Sequence, residues 1–350
     1  MEIRKKYSDL PDNIQKILAN GNVFFTKEYE CYARATGSSI WYIYDQQYIL
    51  PVNVTEKIKI RRALYISEPL AIEGALSNRT LANFLNGVAV VLRKERVAWV
   101  STSAAALFDA YPDESQRIPF GSHIIDLSLS EDELLMKMHS KHRNSVRRAE
   151  RKGVTVFFGG KELIPDYLKI DADTWQRSDR KSYGGKFFEK IIDNLEDKAV
   201  FYVAYREGVP QAGACYFVNH KMCYYMYGAS ITNPEPGAAN LLQWVAIKNM
   251  KAAGVEKFSF VGCRINEDED SKYHGIQRFK ERFGGELYQG YMFKSILSPT
   301  KYHLFRAMYK LKKGTVSSGA IEQEKHKWPE LQKTVVEDKK CEKNRDSNIS

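Results

Sequence analysis

The alternation of apolar and polar residues along the chain predicts an α/β protein with a mixed sheet. Runs with a two-residue period, typical of strands, occupy residues 39–52, 59–68 and 96–104, and residues 79–95 show the period of an amphipathic helix. From Val154 onward the pattern is regular and predicts the order β-α-α-β-β-β-α-β-α-β. Tight turns at Glu207-Gly208 and Asn219-His220 are expected to join the three successive strands. Ligands of such sheets lie where neighbouring strands diverge.

The stretch SEDELLMKMHSKHRNSVRRAERKG predicts one long amphipathic helix ahead of that regular region. Ser130 and Glu133 have the spacing of a capping box, and Gly153 is placed to end the helix. One set of residues, apolar except for a histidine, recurs every three or four positions and is expected to form the buried stripe. Its members are Leu135, Met138, His142, Val146 and Ala149.

Positive charge is concentrated in two short segments. Residues 139–154 contain six cations against one acid, residues 301–314 contain five cations and no acid, and together they account for the formal net charge of +10. Such local charge indicates a specific anionic partner. We expect Lys141, Arg143 and Arg147 to contact phosphate or nucleic acid, with a merely solvated helix face as the alternative.

The second basic segment, KYHLFRAMYKLKKG, alternates apolar residues with cations. We expect it to pack under the first domain. The alternatives are that it docks tRNA or contacts an anionic membrane surface.

Length and composition indicate two domains and a reducing environment. A chain of 350 residues with 43% hydrophobic content favours two cores over one. No apolar run approaches the length needed to span a bilayer, so stable membrane insertion is not expected and a cytoplasmic location is. The five cysteines show no CxxC spacing, and His139 and His142 have no neighbouring thiol or carboxylate cluster, so we expect no metal site.

Three stretches of the sequence resemble the FemAB peptidoglycan-bridge aminoacyltransferases, a branch of the GNAT acyltransferase superfamily. They are HSKHRNSVRRAERKGV, YMYGASITNPEPGAANLLQWVAIKNMKAAGVEKFSF and GIQRFKERFGGEL, and with the element order they cover roughly residues 120–296. The resemblance implies two tandem GNAT-like domains. Residues 1–120 plus 297–313 would form the first and residues 121–296 the second. Residues 314–350 are polar and predict a mostly disordered tail.

The resemblance also implies the activity and the co-substrates. Members of the superfamily move an acyl group from an activated donor to an amine, and the FemAB branch uses aminoacyl-tRNA and a lipid-linked or nucleotide-linked muropeptide. We therefore expect acyl-CoA or aminoacyl-tRNA as co-substrate, no tightly bound cofactor and a phosphate-bearing envelope precursor as partner, with tRNA as a further candidate. Peripheral contact with a membrane is compatible with this activity.

The loop and helix start at 234–240 are the expected donor site. Gly237, Ala238, Ala239 and Asn240 are small or polar, so a pyrophosphate or pantetheine group could approach the free N–H groups of the helix. The alternative is a plain connection rich in Pro and Gly. The two closely spaced glycines typical of acetyl-CoA binding are only partly present, which makes acetyl-CoA itself a weaker expectation.

Lys280 is the expected catalytic cation. Ile276, Phe279 and Phe283 lie on one face of the predicted helix and Lys280 falls at its edge, where a lysine often only covers apolar surface. By resemblance, however, the lysine of the FKxxFG stretch belongs to the acyl-transfer site, with Phe279 beside it in the substrate-binding set. A cation there can stabilise charge on the carbonyl oxygen.

Tyr227 is the second expected catalytic residue. Tyr225 and Tyr227 are predicted to share one side of a strand, where one hydroxyl could act as a general acid, although core packing would explain both. The acidic run Glu267 to Asp270 could hold an acceptor amine or could be a solvated loop. No catalytic triad order, P-loop or dinucleotide fingerprint is present, so direct attack by an amine suffices.

These observations favour an N-acyltransferase that transfers an acyl or aminoacyl group to an amine of a muropeptide or an amino sugar. One alternative is an acetyl-CoA-dependent GNAT enzyme that acts on another small amine. A second alternative is a non-catalytic RNA-binding protein on the same fold.

Overall fold

The computed structural model describes residues 1–72, 74, 77–177, 182–265, 272–313 and 319–332. The chain divides into two units. The first comprises Met1–Asp12, Gly37–Gly121 and Gln289–Ser350, and the second comprises Asn13–Thr36 and Ser122–Tyr288. These units differ from the predicted boundaries chiefly at residues 13–36, which belong to the second unit because the rings of Tyr29 and Tyr32 pack against Phe217 there.

The described residues form fourteen strands and eleven helices. The strands are β1 (Glu2–Arg4), β2 (Ser39–Tyr44), β3 (Tyr48–Lys57), β4 (Ile60–Tyr65), β5 (Leu70–Ala71), β6 (Val97–Thr102), β7 (Gln116–Asp126), β8 (Val154–Gly159), β9 (Ala199–Arg206), β10 (Val209–Val218), β11 (Met222–Ser230), β12 (Lys257–Ser259), β13 (Cys263–Arg264) and β14 (Glu286–Ile296). The helices are α1 (Asp12–Leu18), α2 (Lys27–Ala35), α3 (Asn78–Lys94), α4 (Glu131–Lys137), α5 (Ser140–Arg151), α6 (Ile164–Gln176), α7 (Gly185–Leu195), α8 (Ala238–Ala252), α9 (Lys272–Glu281), α10 (Pro299–Lys313) and α11 (Ala320–Glu324).

The first unit is a sheet covered on both faces. Its strand order is β1-β2-β3-β4-β6-β14-β7, with β5 paired to β3. The apolar stripe of α3 packs in one core with alternate residues of the sheet, among them Val100. The preceding residue, Trp99, points to the opposite face, where the rings of Tyr302 and Phe305 from α10 cover it. Tyr302 and Phe305 of the second basic segment therefore pack within the first unit, as predicted for the segment, whereas Leu311 is 88% exposed.

Residues 319–332 lie within the stretch for which the sequence predicted disorder, and that prediction is wrong for this part of it. Ile321 of α11 is buried against Ile118, Phe120 and Met292 of the sheet. An isolated apolar island in a polar stretch is enough to anchor a segment when the sheet offers an uncovered apolar face. Residues 333–350 lie outside the described residues.

The second unit has the strand order β7-β12-β11-β10-β9-β8. The predicted element order after Val154 is confirmed, with the two-residue β13 as an addition. Strands β8 to β11 form an antiparallel meander, whereas β11 and β12 are parallel. Helices α5 and α8 pack on one face of this sheet. On the other face Tyr167 of α6 lies so close to Gly213 of β10 that a Cβ there would be 2.7 Å from its ring.

The predicted long basic helix is two helices. The capping box of Ser130 and Glu133 starts α4, and Gly153 with φ +73° follows α5, as predicted. The chain breaks at Met138 and His139, where the backbone is extended (ψ 134° and 140°). The N–H of His139 donates instead to the carbonyl of Arg282, 2.9 Å away, so a contact distant in sequence stabilises the break.

Candidate active site

Strands β11 and β12 separate part of the way along their length. Their parallel pairing joins Met222 to Lys257 and ends at Tyr224 and Ser259. Beyond that point β11 continues to Ser230, paired on its other side with β10. Among the described residues, the part of β11 after Tyr224 is not paired with β12, which is the divergence that the sequence predicted for this sheet type.

A bulge in β11 lies at the point of separation. Cys215 pairs with Tyr227 and Tyr216 pairs with Tyr225, so Met226 is an extra residue in the strand. The bulge breaks the two-residue alternation, and Tyr225 and Tyr227 face opposite sides of the sheet. The prediction that they share one side is therefore wrong.

Tyr225 lies on the face that carries α8. Its ring contacts Tyr216 and Phe260, and a hydrogen bond with the amide of Gln243 partly offsets the burial that raises the pKa of Tyr225 to about 12. The hydroxyl of Tyr216 donates to Oε1 of the same Gln243 at 2.9 Å. One buried amide thus positions two tyrosines.

Tyr227 lies on the opposite face, in an aromatic cluster with Tyr183, Phe187 and Phe188. Burial raises the pKa of Tyr227, and the neighbouring Tyr32 acts in the same direction. Burial likewise raises the pKa of Tyr32 to about 12, against a smaller lowering by its hydrogen bond with Tyr227. At neutral pH the Tyr227 hydroxyl is therefore protonated. Tyr32, on α2, was not predicted for this site, because nothing in the sequence shows which sheet face α2 covers.

The ammonium of Lys280 lies at the end of β12. It donates to the carbonyl of Val261 and to that of Gly262, the latter at 2.8 Å. Both of these residues have positive φ, 48° and 63°, in the turn that follows the strand. Burial lowers the pKa of Lys280 to about 8, and the neighbouring Cys263 acts against that shift. A desolvated cation is thus held just beyond the point where β11 and β12 separate.

The start of α8 packs closely against the basic helix α5. Gly237 has φ +93°, and a Cβ there would lie 2.2 Å from the carbonyl oxygen of Ser145. The N–H of Leu241 is bonded to the carbonyl of Gly237, so the N–H groups of Ala239 and Asn240 belong to the first turn, which lacks partners within a helix. These two residues are only partly buried. Their binding of an anionic donor group stays a prediction.

Ala238 does not fit the predicted donor-binding role. Its side chain is fully buried in the core, and its N–H already donates to the carbonyl of Glu235 at 3.0 Å. The loop before α8 is also held in place. Glu235 forms an ion pair with Arg206, and its N–H donates to Oε1 of Gln211 at 2.8 Å.

The basic face of α5 divides into one structural arginine and several exposed cations. Arg143 donates to the carbonyls of Leu135, Met136 and Met138 at the end of α4, so the prediction that it contacts phosphate does not hold for this conformation. Lys141 and Arg147 are exposed, and within the part of the chain that the structure describes no acidic side chain pairs with them. They are the cations that remain for an anionic partner.

Phe279 is part of the packing between α9 and α5. Its ring lies 5.4 Å from that of His142, and Nε2 of His142 lies 3.0 Å from the Phe279 carbonyl oxygen. Burial lowers the pKa of His142, so the neutral ring donates this hydrogen bond. Phe279 thereby fixes the helix that carries Lys280. The acidic residues Glu267 to Asp270 lie outside the described residues.

Comparison with known proteins identifies a similar domain and similar chains. Residues 137–281 match the family model described as an Acetyltransferase (GNAT) domain. The chain is 27% identical over 100 residues to the Lipid II:glycine glycyltransferase of Staphylococcus haemolyticus (strain JCSC1435), a match that covers 28% of this chain and 24% of that protein. The match therefore spans about a quarter of that relative's length.

Two solved structures share the fold over most of the chain. FemX superposes with a TM-score of 0.65 at 15% identity, covering 87% of this chain and 99% of that one. L-PGS from Bacillus licheniformis gives a TM-score of 0.52 at 12% identity, covering 90% and 99%.

The separated parallel strands lie within the region that matches the GNAT acetyltransferase domain. The likeness to the Lipid II:glycine glycyltransferase and the fold shared with FemX agree with the resemblance to FemAB-like proteins that the sequence predicted. Among the described residues, no helix combines the length and apolar character that crossing a membrane requires.

Proposed function

We propose that the protein is an N-acyltransferase that transfers an acyl or aminoacyl group from aminoacyl-tRNA or acyl-CoA to an amine of a cell-envelope precursor, a muropeptide or an amino sugar. The likeness to a relative named for glycyl transfer to lipid II supports this class of reaction. The observation that carries the proposal is the desolvated ammonium of Lys280 at the separation of β11 and β12.

The donor enters the separation with its acyl carbonyl oxygen towards Lys280. The N–H groups of Ala239 and Asn240, in the first turn of α8, hold an anionic part of the donor. The exposed Lys141 and Arg147 bind phosphates further from the reacting atoms. Ala238 and Arg143 have no part in this scheme beyond packing and capping.

The acceptor amine attacks the acyl carbon, a C–N bond forms, and negative charge develops on the carbonyl oxygen. The ammonium of Lys280 stabilises that charge, in exchange for the two backbone carbonyls that it now contacts. The C–S or C–O bond to the donor then breaks, and the proton lost by the amine ends on the leaving thiol or hydroxyl. Tyr227, whose raised pKa keeps its hydroxyl protonated, is the proposed hydrogen-bond donor to the leaving group.

The test follows donor consumption. Purified protein is incubated with acyl-CoA and, separately, with aminoacyl-tRNA, while muropeptide or amino-sugar amines are added. Amine-dependent consumption of one donor supports the proposal and identifies that donor. Consumption of neither donor with any amine contradicts it.

The exposed cations of α5 also support one alternative function, that of a non-catalytic RNA-binding protein. It predicts RNA affinity that persists in Lys280→Ala and is lost in Lys141→Gln and Arg147→Gln, without turnover of any donor. An enzyme loses turnover in Lys280→Ala whatever its affinity for RNA.

A further inference from the structure

A second candidate site lies in the first unit, outside residues 137–281. A cavity of about 320 Å³ opens between the outer face of the sheet and helix α10. Its volume falls at the lower end of the range of small-molecule pockets, roughly 300–1,000 Å³. The cavity is therefore large enough for one small ligand.

Aromatic rings form one part of its lining. The ring of Phe305 lies 5.0 Å from that of Trp99 and is nearly parallel to that of Tyr309, at 6.1 Å and 20°. Tyr309 remains 38% exposed, so part of its ring is accessible. Rings arranged in this way offer flat apolar surfaces on which a planar group can stack.

Cations form the other part. Lys57, Arg62, Lys294 and Arg306 line the cavity against a single acid, Glu322. The carboxylate of Glu322 is already paired with Lys294, and both side chains are largely buried. In the part of the chain covered by the structure, no acidic side chain pairs with Arg62, Arg306 or Lys57, so the cavity has an excess of positive charge.

The two arginines are held in place by neutral partners. Nε of Arg62 donates to the hydroxyl of Thr55 at 2.9 Å, and a terminal nitrogen of Arg306 donates to the hydroxyl of Tyr302 at 3.2 Å. These bonds orient each guanidinium while leaving its other N–H groups for a ligand. Such preorganised groups suit phosphate oxygens.

The apolar residues that α10 exposes do not belong to this cavity. Leu304 and Leu311 are 54% and 88% exposed, whereas Tyr302, Phe305, Arg306 and Tyr309, at positions i, i+3, i+4 and i+7, line the cavity on another face of the helix. A lipid would be expected to use these leucines together with the cations. The combination of stacked rings and arginines around one cavity favours a smaller ligand that is planar at one end and anionic at the other.

We infer that this cavity binds a nucleotide, with its base against Phe305 and Tyr309 and its phosphate between Arg62 and Arg306. The ligand is either a free nucleotide or one nucleotide of an RNA strand. The site is separate from the acyl-transfer site, and its test requires no turnover.

The test measures the binding of UMP, AMP, UDP and ADP to the full chain by titration calorimetry, beside uridine and inorganic phosphate as partial ligands. A nucleotide is expected to bind at least tenfold more tightly than either part. In Arg62→Gln and Arg306→Gln the affinity for nucleotide is expected to fall about tenfold, because each loses a charge-assisted hydrogen bond. Lys310→Gln, an exposed cation on the same helix, is the matched control and should bind like the natural protein.

A second variant separates stacking from charge. Tyr309→Leu is expected to weaken nucleotide binding severalfold and to leave the binding of inorganic phosphate unchanged. Phosphate binding equal to that of the nucleotides, or arginine variants that bind nucleotides normally, would overturn the inference. So would binding to phosphatidylglycerol vesicles that depends on Arg62 and Arg306 in a protein without affinity for nucleotides.

Hexauridylate distinguishes the two sources of the ligand. Affinity for the hexamer well above that for UMP, lost in the same arginine variants, assigns the cavity to a nucleotide within RNA. Equal or lower affinity assigns it to a free nucleotide.

Discussion

Lys280 illustrates how a single side chain can be ambiguous in sequence and specific in structure. Its position at the edge of an apolar helix face is also that of a lysine that merely covers surface. The structure instead shows the ammonium bonded to two carbonyls of a left-handed turn at the end of β12. That turn is formed by residues 18 and 19 positions earlier in the chain, a relation that no local pattern displays.

We expect Lys280→Ala to lower turnover at least about 100-fold, the typical cost of removing a group that stabilises an oxyanion. Steady-state kinetics with the identified donor measures this loss, and circular dichroism checks that the fold is kept. Arg278→Ala is the control, because Arg278 is exposed on the same helix. Normal turnover in Lys280→Ala would remove the residue from the proposed mechanism.

The same residue predicts a pH dependence. Burial lowers the pKa of Lys280 to about 8, so the ammonium is present below that pH and is lost above it. Activity should therefore fall as the pH rises through about 8, and Lys280→Arg should remove this falling limb in whatever activity it retains, because a guanidinium stays charged. Because folding lowers the pKa from 10.5, the free energy of unfolding should also rise between about pH 8 and 10.5. A pH profile that is the same in Lys280→Arg would contradict the assignment.

Gly237 and Gly254 flank α8 and provide a matched pair of substitutions. Both have positive φ, but an added Cβ meets the Ser145 carbonyl at 2.2 Å at Gly237 and nothing within 4 Å at Gly254. Gly254→Ala should therefore cost about 1 kcal/mol of stability from backbone strain alone. Gly237→Ala should cost clearly more, roughly 3 kcal/mol, since α5 must also move. Urea unfolding measures both, and equal losses would show that the close approach does not matter.

At the scale of elements, the sequence identifies most helices and strands but not what interrupts them. The capping box at Ser130 and the order of elements after Val154 follow from local patterns, and both are confirmed. The break before α5 is missed because its stabilising partner, the carbonyl of Arg282, is far away in sequence. Similarly, the extra residue Met226 fits the β pattern as well as any other residue does.

The division of roles on α5 can be tested with two arginines. Arg143→Ala should lower the free energy of unfolding by about 1–2 kcal/mol, because the carbonyls that end α4 lose their donor. Arg147→Ala should leave stability unchanged and weaken binding of the phosphate-bearing donor severalfold. Chemical unfolding and donor titration measure the two effects. The reverse result would return Arg143 to the phosphate-binding set.

For the whole molecule, composition predicts two domains, and the resemblance predicts how the chain returns to complete the first. The assignment of residues 13–36 to the second unit could not be read from the sequence. It depends on Tyr29 and Tyr32 contacting Phe217, which lies about 190 positions further along the chain. The order in residues 319–332 was missed because composition averages over a segment, whereas anchoring depends on one or two apolar side chains.

Removal of residues 319–350 should destabilise the first unit. It exposes Ile118, Phe120 and Met292 and takes away Glu322, the partner of Lys294. A loss of several degrees in the melting temperature is expected, roughly 2–4 kcal/mol for the buried isoleucine and its contacts. Removal of residues 333–350 alone is the control. If the two shortened chains melt at the same temperature, the packing of Ile321 does not contribute to stability.

The additional residue at Met226 has a consequence for variants that differ in length. A deletion of that single position would remove the extra residue and leave Tyr225 opposite Tyr216 and Tyr227 opposite Cys215, so both phenols would keep their present sides. A deletion at another position of the strand would instead send each later side chain to the other side of the sheet. A one-codon loss at Met226 should therefore be less harmful than a one-codon loss elsewhere in this strand.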